Sequence, residues 1–406
     1  MGVKKPTPKE RFFHLLLLAA LAFIVSILIR GRAESENINY QIKTYSEVLD
    51  LIKKYSLYEP SDEEIAKIHE CILQRGFQRF EIPKGEIKEE ISIESCFKQD
   101  KRARYLSPTE LEIMNEDIEG FYGIGVQVKP SADLSSIEII GLLDGGAAKE
   151  AGLLKEGDLI IAAGESEDKL QPFSGLSFYE MVRLIRGPAN TSVFLKVIRG
   201  SKELPIIKVI RKEVKDKFYK IEIVDINTAY LKLASFHKPD KDFQEIEAKL
   251  LELHKEGVSN LIIDVRDNPG GFLHVAISFL NLFAPDNKVF LEVHGRENKV
   301  IDEYTAGSRG TLADMNVAIL INKNSASASE LVAGVLQRWG AVVLGEVSYG
   351  KGSVQRGFEL KDGGSILLTT MTYHFSDGVT PEDGGIEPDI FTDKPLEEAI
   401  KYLSDK

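Results

Sequence analysis

Cysteine is scarce: Cys71 and Cys96 are the only two in 406 residues. That excludes a disulfide-rich scaffold, and neither cysteine has partners at metal-ligand spacing, so no zinc site is implied. The two could pair in an oxidising compartment or stay buried and free. Positive charge is short as well, with 51 Lys and Arg against 63 Asp and Glu and a net charge of −12. No basic stripe lies beyond the extreme N-terminus, so the phosphate-neutralising face of a nucleic-acid binder is missing. Internal repeats and low-complexity linkers are also absent. The 43% hydrophobic and 28% charged residues are ordinary for a globular protein with a large core. The length suggests about two or three domains.

The long apolar run comes near the start. Phe12–Ile29 is interrupted only by His14 and Ser26, and Lys4, Lys5, Lys9 and Arg11 precede it. At ~1.5 Å per residue such a run just spans a hydrocarbon core. Positive charge ahead of it predicts a cytoplasmic N-terminus, with the remaining chain delivered outside. "IRGRAES" is a poor small-x-small cleavage site, so an uncleaved single-pass anchor is expected.

Four regions follow: 1–33, a cytoplasmic tail and membrane anchor; 34–112, a small helical region; 113–212; and 213–406. In the second, "SEVLDLIKKYSLY" and "SDEEIAKIHECILQRGF" read as amphipathic helices, and no chemistry stands out. In the third, short alternating strands such as "IGVQVKP" and "TSVFLKVIRG" flank two helical pieces. From Glu213 the pattern becomes α/β: unbroken apolar strands, "NLIIDVR" and "NVAILINK", alternate with helices, as in a mostly parallel sheet covered by helices. "GSVQRGFELKDGGSILLTTMTYHF" reads as an antiparallel hairpin added to it.

Several stretches carry chemistry. "NSASASELVAGVLQRWG" (Asn324–Gly340) clusters three serines where a helix begins. Ser327 and Glu330 stand in the S-x-x-E register of a capping box. The same place suits a nucleophilic serine, because helix N–H groups can receive an oxyanion. "GEVSYGKGS" nearly matches a phosphate-binding loop, but Gly352 stands where the Mg²⁺-ligating hydroxyl belongs, and a strand follows instead of a helix. Read as a strand, it puts Lys351, Ser353 and Gln355 on one face. Burial would depress the lysine's pKa and convert it into a general base, with the Gln355 carbonyl able to orient its amine. The alternative is a solvated turn lysine. Of the seven histidines, His237, His274, His294 and His374 stay open as bases, although none sits in a sharp motif. "IIDVRDNPGG" is a buried strand running into a glycine turn that can expose N–H groups for an oxyanion. "YGIGV" (Tyr122, Gly123, Ile124, Gly125, Val126) can present N–H groups to a peptide's terminal carboxylate beside a strand edge.

These elements in this order resemble the carboxyl-terminal processing, or tail-specific, proteases. "YGIGV", "EGDLI" and "LIRGP" look like that family's PDZ domain, and "LIIDVRDNPGG", "SASASE" and "GEVSYGKGSVQ" like its protease core. The resemblance implies Ser327 as nucleophile, Lys351 as general base and Gln355 as the residue orienting it. The N–H groups of Gly271 and Ala328 would form the oxyanion hole, and Ser325 and Ser329 would be structural. It implies a crotonase-like α/β core with an inserted PDZ domain, and a periplasmic or otherwise extracytoplasmic catalytic part on the inner (cytoplasmic) membrane. No metal, nucleotide or other cofactor is implied, and the partners are proteins or peptides held by their C-termini. The turn around Glu382 and Asp383 departs from the family in being acidic. The expectation is a serine endopeptidase; the alternative is an inactive PDZ adaptor at the membrane.

Overall fold

Leu261, Ile262 and Ile263 run without polar alternation because both faces of their strand are covered. That strand, Asn260–Asp264, is third in a six-stranded sheet. The order is Tyr219–Asp225, Thr228–Leu233, Asn260–Asp264, Asn316–Ile321, Val342–Gly345, Ile390–Phe391. The first pair is antiparallel and every later pair parallel. Leu261, Ile263, Ile319 and Val343 pack under the helices Asp240–Lys255, Leu273–Asn281 and Ala328–Arg338, through Ile246, Leu280 and Leu331. Tyr230, Ile262, Ala318 and Leu344 take the opposite face and pack against Ala399 and Leu403 of the helix Pro395–Ser404. Because Asn260–Asp264 and Asn316–Ile321 are parallel neighbours, the loops leaving their C-terminal ends meet.

The computed structural model describes residues 46–81, 96–214, 218–285 and 287–405. The anchor expected over Phe12–Ile29 lies outside them. Among the described residues no helix is long and apolar enough to cross a membrane.

The expected hairpin forms from Ser353–Glu359 and Ser365–Phe375. Arg104–Leu106, Val289–His294 and Val300–Thr305 extend it into a second, antiparallel sheet. Helices over 46–55 and Asp62–Glu81 pack on this sheet, with Val48, Ile52, Ile65 and Phe97 against Leu360, Ile366 and Leu368. Cys71 and Cys96 are joined as a disulfide, which settles the alternative that sequence left open.

Between these parts a seven-stranded sheet builds its own core. Its order is Val126–Pro130, Ile137–Leu142, Leu159–Gly164, Ser192–Arg199, Lys202–Glu203, with Gln171–Pro172 and Ile207–Ile210 added at the side. Ile137, Ile160, Val193, Leu195, Val197 and Met181 of the helix Phe178–Ile185 fill it. Ile113, from the helix Pro108–Glu119, joins the same core.

Candidate active site

The three alternating serines have different surroundings. Ser325 Oγ is buried and donates to the Val265 carbonyl at 2.8 Å. Ser329 Oγ, also buried, donates to the Asn268 carbonyl at 3.0 Å. Both therefore stitch the serine loop to the segment that follows the strand Asn260–Asp264, Ser325 at its start and Ser329 at the "DNPGG" turn. Ser327 alone is half-buried. Its backbone, φ 56° and ψ −115°, is rare for a residue with a side chain, and such strain is held only where surrounding contacts over-determine it.

Those contacts centre on Glu330, whose side chain is fully buried. The glutamate arm of the capping box forms, with the Ser327 N–H donating to Oε2 at 2.8 Å. The same oxygen accepts the Lys351 N–H at 2.7 Å. Its other oxygen accepts the Gly350 N–H and the Ser348 hydroxyl, both at 2.6 Å. One carboxylate thus holds the backbones of Ser327 and Lys351 together. On the carbonyl side, the buried Tyr373 hydroxyl lies 3.0 Å from the Ser327 oxygen and 3.3 Å from that of Lys351. Burial, then the charges of Glu330 and Glu382, raise the Tyr373 pKa, so this hydroxyl stays a neutral donor.

Lys351 is half-buried, and its Nζ donates to Gln355 Oε1 at 2.9 Å. Regular alternation does not produce this pairing. The strand begins at Ser353, Lys351 lies in the loop before it, and the register shifts between Val354 and Gln355. Ser353 is buried, and its hydroxyl has no partner among the described residues. Gln355 Nε2 in turn donates to the Arg102 carbonyl at 2.6 Å, 253 positions away in sequence. Desolvation, followed by the positive charge of Arg102, holds the Lys351 pKa below the ordinary lysine value. Among the described residues Gln355 is the hydrogen-bond partner of this amine, and Ser327 Oγ is not. A neutral amine that donates to Gln355 keeps its lone pair for another proton.

Facing Ser327 is the glycine turn. A Cβ on Gly270 would lie 2.8 Å from Ser327 Cβ, so the turn abuts the serine. Gly271 bridges to Phe236, which donates to the Gly270 carbonyl and accepts from the Phe272 N–H. Neither the Gly271 nor the Ala328 N–H has an acceptor among the described residues. Asp267, at φ 63°, ties this turn to the serine loop, its Oδ1 accepting from Asn322 and Asn324 at 2.9 and 2.8 Å. His237 follows Phe236, and desolvation together with the charge of Lys351 lowers its pKa. Of the other histidines left open, His294 and His374 stack on each other with centroids 4.0 Å apart, and His274 stacks on Phe272.

The "YGIGV" stretch runs from a separate two-stranded sheet into the first strand of the seven-stranded one. Phe121–Gly123 pairs with Lys212–Val214, Ile124 is buried, and Val126 opens the edge strand Val126–Pro130. Tyr122 is exposed, and its carbonyl accepts the Gly187 N–H. The carbonyls of Ile124 and Gly125 accept from Ala148 and Leu143, whereas the two amides have no acceptor among the described residues. Gly125 has φ 71°, and a Cβ there would lie 2.6 Å from Gly146 Cα, so only glycine fits.

Local sequence patterns miss Arg102 and Tyr373, and they mark Glu330 only as a cap. The S-x-x-E spacing is a signal for Glu330. Arg102 and Tyr373 reach the site through tertiary contacts that no local pattern announces. The acidic turn has a partner in the site: Glu382 pairs with Arg102 at 2.9 Å.

The sequence profile of peptidase family S41 matches residues 227–392, and that of the PDZ domain matches residues 111–198. A "Carboxy-terminal-processing protease" of Bartonella bacilliformis (strain ATCC 35685) is 32% identical over 309 residues, 74% of this chain and 68% of that protein. A "Probable CtpA-like serine protease" of Staphylococcus aureus (strain N315) is 30% identical over 312 residues, 75% of this chain. The match spans 60% of that relative's length. The solved structure of a photosystem II D1 C-terminal processing protease shares the fold, with a TM-score of 0.53 at 21% identity over 89% of this chain and 96% of that one. This chain belongs to the carboxy-terminal-processing protease family of S41 peptidases and carries a PDZ domain.

Proposed function

We propose that the chain is a serine endopeptidase that takes proteins by their C-terminal tails and cuts internal peptide bonds near them. The observation that carries this reading is the single Glu330 oxygen bound by the amides of both Ser327 and Lys351, with the Lys351 amine set on Gln355. In the proposed reaction neutral Lys351 takes the Ser327 proton as Oγ bonds to the scissile carbonyl carbon. The Gly271 and Ala328 N–H groups receive the oxyanion. As the tetrahedral species collapses, the C–N bond breaks and the Lys351 ammonium returns its proton to the leaving amine. Water, deprotonated by the same lysine, then attacks the Ser327 ester, the acyl C–O bond breaks, and the lysine returns the proton to Ser327 Oγ. The residues need no metal or cofactor for any of these steps.

The free amides of Ile124 and Gly125 beside the open edge of Val126–Pro130 support carboxylate capture with strand addition. The disulfide and the charge pattern around Phe12–Ile29 support an extracytoplasmic catalytic part on a single-pass anchor. A hydrogen bond to a charged partner contributes ~1.5–3 kcal/mol, so amidating a substrate's C-terminus is expected to weaken its binding about tenfold or more. Fluorescence anisotropy on the Ser327→Ala chain, with matched free-acid and amidated peptides, measures this. Equal affinities would remove carboxylate capture from the reading. Gly125→Val should weaken both the affinity and the preference.

A further inference from the structure

The segment ahead of the PDZ domain, residues 96–106, reaches the Lys351 site. Asp100, fully buried, anchors it, accepting from the Thr369 N–H at 2.8 Å, the Thr369 hydroxyl at 2.9 Å and the Arg102 N–H at 3.1 Å. Two residues on, the Arg102 carbonyl takes the Gln355 amide. The Arg102 guanidinium donates to the Gly350 carbonyl at 3.3 Å and pairs with Glu382 at 2.9 Å. Both of its anchors therefore border Lys351: Gly350 precedes it in sequence, and the Glu382 turn abuts Gly350 and Gly352 on either side of it.

We propose that Arg102 is a positioning residue of this active site, its guanidinium setting the charge around the Lys351 amine while Glu382 counterbalances it. The inference rests on Lys351 being the base. A fixed cation beside an amine favours the neutral form, and a carboxylate favours the protonated one. The groups facing Lys351 are Arg102 and Asp100 from this segment, Glu382 from the acidic turn, Glu330 from the helix Ala328–Arg338, and His237 from the loop after Thr228–Leu233. Burial is the largest cause depressing the lysine's pKa, and Arg102 is the next. Burial first, and then the charges of Asp100 and Glu382, raise the Tyr58 pKa, with Arg102 opposing them. The acidic turn thus holds the arginine in place and limits its effect on the amine.

The test is kcat/KM against pH, from neutral to alkaline, for the full chain on a free-acid peptide. In Arg102→Gln the rising limb should move to higher pH by about half a unit to one unit. In Glu382→Gln it should move the other way, and Arg102→Lys should restore the wild-type position. A purely structural arginine would lower activity at every pH and leave the limb in place. If Arg102→Gln fails to fold, Glu382→Gln and Arg102→Lys decide. A limb unmoved in Glu382→Gln and in any folded Arg102→Gln overturns the proposal. Lys351→Ala run alongside separates the two readings. Wild-type hydrolysis in that variant would sink the lysine base itself, whereas a dead Lys351→Ala with an unmoved limb would sink only the role of Arg102.

Discussion

Ser327→Ala and Lys351→Ala are each expected to lower peptide hydrolysis by at least ~10³-fold without unfolding the chain, and the double variant should lose little more. The site holds both residues by backbone atoms. Glu330 takes the Ser327 and Lys351 amides, and Tyr373 bridges their carbonyls. Truncating either side chain leaves those bonds in place, so a lost activity reports chemistry and not collapse. Non-additivity follows because a nucleophile without its base, or a base without its nucleophile, already lacks the reaction they perform together. Ser325→Ala is the contrasting variant. It removes a buried hydrogen bond to the Val265 carbonyl, so about 1 kcal/mol of stability should go while most of the activity stays. Steady-state kcat/KM with thermal melts on the four variants reads both quantities. A dead Ser325→Ala beside an active Ser327→Ala would exchange the two roles.

Gly271→Ala should be nearly as damaging to catalysis, for a steric reason. The added methyl would lie 2.1 Å from the Phe236 carbonyl carbon and 2.4 Å from the His237 nitrogen. These are backbone atoms of the strand–loop junction and cannot swing aside like the end of a side chain. The turn must move, and the Gly271 N–H moves with it. Loss of one oxyanion donor costs about 10²–10³ in kcat, and overpacking adds about 1–3 kcal/mol of destabilisation. Gly307→Ala is the control, since its added carbon meets nothing within 4 Å. Comparing kcat with the melting shift separates the two effects. If Gly271→Ala is destabilised yet keeps its kcat, the Gly271 amide does not receive the oxyanion.

How far the sequence can be read depends on whether the information is local. Apolar strands without alternation announce a doubly covered sheet, because burial on both faces leaves no polar position. The Ser327, Lys351 and Gln355 assignments come from short motifs. Alternation alone does not link Lys351 to Gln355, since a register shift just before Gln355 changes which side chains share a face. Glu330 looks like an ordinary cap because S-x-x-E describes only what happens within one helix turn. Its bonds to Ser348, Gly350 and Lys351 depend on a loop about twenty residues on. Arg102 is illegible for a further reason: its carbonyl acts through the backbone, and backbone contacts leave no mark on residue type. The helical region at 34–112 therefore reads as free of chemistry, although its Arg102 carbonyl holds the Gln355 amide.

Whether Ser327 becomes the covalent centre, and needs Lys351 to do so, can be read from a fluorophosphonate probe, which bonds to an activated serine oxygen. Peptide mass spectrometry then locates the adduct. A single adduct is expected on the peptide carrying Ser327, abolished in Ser327→Ala and strongly slowed in Lys351→Ala. An adduct on Ser325 or Ser329, or labelling of Ser327 at an unchanged rate without Lys351, would contradict the proposed chemistry.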